Sequence, residues 1–75
     1  MELSGKFKVL SIKSKTSAVL FKDFKVGDEF ILRYNLNGWY GSAPTIDIIS
    51  TKGKHSNTAN QLNNNLSNFE LEQLG

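Results

Sequence analysis

The 75-residue sequence contains no cysteine. That excludes disulfides, thiolate metal sites and cysteine nucleophiles together. It fits a reducing compartment. Long apolar runs are missing too. The longest, Ala18–Phe21, falls far short of the roughly 20 residues a membrane helix needs. The opening "MELSGKFK" lacks the apolar stretch of a signal peptide. These absences predict a soluble, cytoplasmic protein. No glycine-rich phosphate loop occurs, because Gly27, Gly38, Gly41 and Gly53 are isolated turn glycines. The single histidine, His55, lies in "KGKHSN", a polar stretch that reads as a turn. A general base needs a pocket and an orienting partner, and a solvated turn supplies neither. Asp23, Asp28, Glu29 and Asp47 show no repeated ligand spacing. The chain therefore reads as non-enzymatic, with no catalytic residue, no metal and no cofactor.

Charge is unevenly spread. The net charge is +2, but the first 25 residues hold Lys6, Lys8, Lys13, Lys15, Lys22 and Lys25 against Glu2 and Asp23. From His55 onward there is no Lys or Arg. A lysine-rich first third has two readings. It is a solvated strand face whose lysines guard a sheet edge, or it is a cationic surface for a partner.

The chain alternates more than it coils. In "GKFKVLSIKSK" Phe7 and Val9 face one way and Lys6 and Lys8 the other; then Leu10 and Ile12 take the apolar phase. One extra residue near Val9–Leu10, a β-bulge, produces such a flip. "AVLF" at 18–21 reads as a short second strand. In "FKVGDEFILRYNL" the even positions are apolar, with Gly27–Asp28 as a turn and 29–36 as a strand buried on one face. "TIDIIS" at 45–50 turns Ile46 and Ile48 inward.

Between those strands lies "YNLNGWYGSAP". Asn-Gly is the strongest two-residue hairpin signal, so Asn37–Gly38 is the predicted tip. That register places Trp39 opposite Leu36 and inward, with Tyr40 outward beside Asn35 and Arg33. It also requires a break near Pro44, which lacks a ladder N–H.

After residue 56 the period changes. Ala59, Leu62, Leu66 and Phe69 form a helical stripe, with Ser56, Asn57 or Thr58 available as the cap. "NFELEQ" at 68–73 returns to alternation as a last strand. The expected fold is one mostly β domain over residues 1–75. It is a small antiparallel β-barrel or sandwich, OB- or SH3-like, with one short helix near residues 58–67. Its expected core comprises Phe7, Val9, Leu10, Ile12, Val19, Phe21, Phe30, Leu32, Tyr34, Ile46, Ile48, Leu62, Leu66 and Phe69.

"FKVGDEF" resembles the "KVGD" entry to a strand in many small barrels of this type. The whole chain, short, Lys- and Asn-rich and β-patterned, resembles the small uncharacterised proteins of bacteriophages of Gram-positive hosts. That resemblance implies a viral source and the host cytoplasm. It brings no catalytic motif with it.

Binding is the function that remains. The candidate contact residues are Trp39, Tyr40, Arg33, Lys6, Lys8, Lys13, Lys52 and Lys54. One reading is a protein-binding module that modulates a host or phage protein, with Tyr and Trp as interface anchors. The other is a single-stranded nucleic-acid binder. It would combine these cations and Lys15 with Tyr34, Trp39 and Tyr40 as stacking platforms. A homodimer that covers a sheet edge is a further option. Carboxylates scattered through the middle of the chain favour the protein partner.

Overall fold

Strict alternation at the start of the chain builds β1 (Gly5–Ile12), with Phe7 and Val9 buried and Lys6 and Lys8 on the opposite face. The structure is a computed structural model. It describes residues 3–41 and 43–75, and only the backbone of Leu36 and Tyr40. The predicted bulge is present. The β1–β5 register moves between Val9–Leu71 and Ser11–Glu70, which leaves Leu10 as the extra residue. Leu10 is exposed rather than in the core, because the bulge leaves it out of the ladder. Ile12 pairs with Phe69 and so shares its face, as the phase flip requires. It is still 43% exposed, because the strand ends there.

The segment at 18–21 is not a strand. Leu20 adopts φ +73°, and Phe21–Asp23 form a 3-10 turn. The turn drives Leu20, Phe21 and Phe24 inward and leaves Val19 exposed. The run carries no alternation, and a tight turn buries the adjacent Leu20 and Phe21 together, as a strand with one buried face cannot. Phe24 stacks on Phe30 with ring centroids 5.1 Å apart. The next turn matches the sequence: Gly27 takes φ +94°, and the Lys25 N–H donates to Asp28 Oδ2 at 2.8 Å.

The remaining elements are β2 (Glu29–Tyr40), β3 (Ala43–Ser50), β4 (Gly53–Thr58), α1 (Ala59–Leu66) and β5 (Phe69–Gln73). Among the described residues they make one five-stranded antiparallel sheet in the order β4-β3-β2-β1-β5. Four strands form a meander, and β5 returns beside β1. The fold is mostly β with one short helix, as the patterning implied. Its ladder does not close, and β4 and β5 are the two edges.

β4 corrects the reading of His55 as a turn residue. His55 is a half-buried strand residue opposite Ile48. Its segment lacks alternating apolar residues because it is an edge beside a polar helix start. Thr58 caps α1 through a reciprocal box: the Gln61 N–H donates to Thr58 Oγ1 at 3.3 Å, and the Thr58 N–H donates to Gln61 Oε1 at 2.9 Å. The helix buries Leu62 and Leu66 on the core face of the sheet. No helix among the described residues is long and apolar enough to cross a membrane.

Candidate binding surface

Asn37–Gly38 is not the hairpin tip. Tyr40 pairs with Ala43, so the chain reverses between them, next to Gly41 at φ +62°. The Asn-Gly pair instead lies in a wide bulge. Asn35 pairs with Thr45 and Trp39 with Pro44, so residues 36–38 have no counterpart on β3. An Asx turn accounts for this, since the Asn37 N–H donates to Asn35 Oδ1 at 3.1 Å. The register break expected at Pro44 is therefore taken up on the opposite strand. Gly38 is required here by space rather than by positive φ, because a Cβ would overlap Thr45 Oγ1 and the Asn35 amide.

Trp39 was expected to anchor the core, and it is 62% exposed. Tyr34, also expected inside, is 54% exposed. Their parity is nonetheless the core parity. Tyr34 pairs with Ile46 and Trp39 with Pro44, and alternation along β3 puts Pro44, Ile46 and Ile48 on one face. The difference is cover. Pairing of β1 with β2 stops at Gly5–Leu32, and pairing of β4 with β3 stops at Thr58–Thr45. The end of the β2–β3 hairpin is a two-stranded ribbon beyond both neighbours. The outward placement expected for the Tyr40 side chain lies outside the described residues.

The opposite face of the sheet gathers the charges. Arg33 on β2 and Ser56 on β4 flank Asp47 on β3. Asp47 is only 3% exposed. Its Oδ1 accepts from Ser56 Oγ at 2.7 Å and from Asn35 Nδ2 at 3.4 Å. Its Oδ2 lies 3.7 Å from both Arg33 Nη2 and Lys54 Nζ. The Ser56 hydroxyl, then the Asn35 amide and the two cations, hold its carboxyl below the usual range against the opposing effect of burial. Sequence patterning missed this hub. The available signal was an aspartate between Ile46 and Ile48 in a buried strand, where an acid persists only if it is paired.

Most of the expected contact cations are held by carboxylates. Lys6 Nζ is 3.1 Å from Glu29 Oε1. Lys52 reaches across the fold to Asp28 Oδ2 at 2.6 Å and donates to the Asp23 carbonyl at 2.6 Å. Arg33 and Lys54 share Asp47. Lys8 lies between Glu29 and Glu72 in the ladder, and Lys13 follows β1 and donates its N–H to the Asn68 carbonyl. The cations on β1, β2 and β4 occupy one face of the sheet; Tyr34 and Trp39 occupy the other. The structure does not bring the two sets together. Among the described residues, no group of three or more His, Cys, Asp or Glu side chains is placed to hold a metal ion. The chain matches no family model, and no curated protein or solved structure matches it.

Proposed function

We propose that this chain is a non-enzymatic protein-binding module, of the kind a phage uses to modulate a host or phage protein, and that the projecting β2–β3 ribbon is its contact surface. One observation carries this reading. Tyr34, Trp39 and Pro44 stand on a single face of a ribbon that no neighbouring strand covers. Tryptophan and tyrosine are among the side chains that most often dominate protein interfaces. The nucleic-acid reading needs aromatics and cations in one groove. Here the sheet separates them, and four of the basic residues already face carboxylates.

A photoreactive phenylalanine analogue placed at position 39, with position 70 on the far edge as control, tests this in the native host. The expected result is a discrete protein adduct from position 39 and none from position 70. Nucleic-acid adducts would replace this reading with the other one. So would salt-sensitive binding to single-stranded DNA that Trp39→Ala abolishes, because such binding reports phosphate contacts.

A further inference from the structure

Nine basic residues less the four in ion pairs (Lys6, Arg33, Lys52 and Lys54) leave five with no such partner among the described residues. Three of the five, Lys15, Lys22 and Lys25, line one cleft of about 480 Å³ between the segment after β1 and the 3-10 turn. The floor of the cleft is apolar, formed by Ile12, Phe21, Phe24 and Phe69. Phe21, Phe24 and Phe69 pack on one another with ring centroids 5.5 to 6.3 Å apart, and each is at most 5% exposed. The open part of the floor is therefore mainly Ile12. Asp23 is the one carboxylate among the lining residues.

We propose that this cleft binds an acidic peptide segment of a protein partner. An apolar side chain would enter over Ile12, and flanking carboxylates would meet Lys15, Lys22 and Lys25. The volume falls within the range of ligand clefts, and the rim carries three cations against one anion. Bases would find no open ring face to stack on, because the phenylalanines are buried. A small amphiphile offers one carboxylate to three lysines, whereas a peptide can supply one to each. The proposal rests on the protein-binding reading but concerns a second surface, away from Trp39.

The test is the fluorescence anisotropy of a short labelled peptide that alternates glutamate with leucine and phenylalanine. Comparison peptides replace glutamate by glutamine, or leucine and phenylalanine by serine. Oligo-dT and dodecanoate serve as competitors. The expected result is saturable, salt-weakened binding that needs both the acidic and the apolar residues. The paired change Lys15→Glu and Lys22→Glu should weaken it by about tenfold or more, the scale of losing close charge contacts. The milder pair Lys15→Gln and Lys22→Gln should weaken it less, with the fold of both variants checked by circular dichroism. Trp39→Ala should leave it unchanged. Several results overturn the proposal: no binding, binding indifferent to the lysine changes, equal binding of the serine peptide, or tighter binding of oligo-dT or dodecanoate. If this test fails while position 39 still crosslinks to protein, the cleft falls and the ribbon reading stands.

Discussion

Asn35 reaches across the β2–β3 ladder to Asp47: its Nδ2 donates to Asp47 Oδ1 at 3.4 Å, while its own Oδ1 accepts the Asn37 N–H at 3.1 Å. One amide thus ties the buried carboxylate to the bulge that launches the ribbon. Asn35→Ala removes both hydrogen bonds and should cost about 2 kcal/mol, at the usual net value of about 1 kcal/mol for each. Hydrogen exchange should speed up at Asn37–Tyr40 more than in β1. Uniform exchange across both strands would show that the bulge does not depend on this side chain.

Asp47 and Asp28 make stability sensitive to acid. Asp47 is lowered chiefly by Ser56 and Asp28 chiefly by Lys52. A carboxyl lowered in the folded state binds fewer protons there than in the unfolded chain. Its contribution is complete above the unfolded value, about 3.9, and is lost as pH falls through the folded value. The urea midpoint should therefore hold steady down to about pH 5 and fall below about pH 4. Asp47→Asn should flatten that fall in part, and Asp28 would supply the remainder. An unchanged acid profile would show that the hub is not retained in solution.

Gly38→Ala should destabilise the fold by about 1–3 kcal/mol, because the added methyl overlaps Thr45 and Asn35 in an already filled space. Chemical denaturation measures this directly. A cost near zero would mean that the bulge opens to accept the methyl.

Trp39 is the sole tryptophan, so its fluorescence reports on the ribbon alone. With 62% of its surface exposed, iodide should quench it nearly as well in the native state as in urea. Trp39→Ala should change stability by no more than about 0.5 kcal/mol, as at other surface sites. Strong protection from iodide, with a large loss of stability, would place the indole in the core.

Leu32 and Tyr34 are two residues apart with the same parity and opposite fates. Leu32 is buried between Gly5, at the end of the β1–β2 ladder, and Ile48 on β3, so Leu32→Ala should cost about 2–5 kcal/mol. Tyr34→Ala should cost far less, because no β1 pair reaches it. Equal costs, compared by urea denaturation of both variants, would show that the ribbon folds back on the core.

The sequence by itself determined the local structure wherever a pattern has one physical meaning. The phase flip after Val9 required a bulge, and the register moves at that point. The spacing of Leu62 and Leu66 behind three possible caps, Ser56, Asn57 and Thr58, required a helix, and α1 begins after Thr58. Alternation placed Phe30, Leu32, Ile46 and Ile48 on one face, and all four are buried. Tertiary structure decided what covers each face. Ile12, Tyr34 and Trp39 have core parity and remain exposed, because parity records direction and the lengths of neighbouring strands set cover. Tertiary structure also turned "AVLF" into a bend that buries Leu20 and Phe21, made Asn37–Gly38 a bulge, and enclosed Asp47 among Ser56, Asn35, Arg33 and Lys54. Each of these outcomes depends on groups distant in the chain, and a local pattern carries no record of which distant groups arrive.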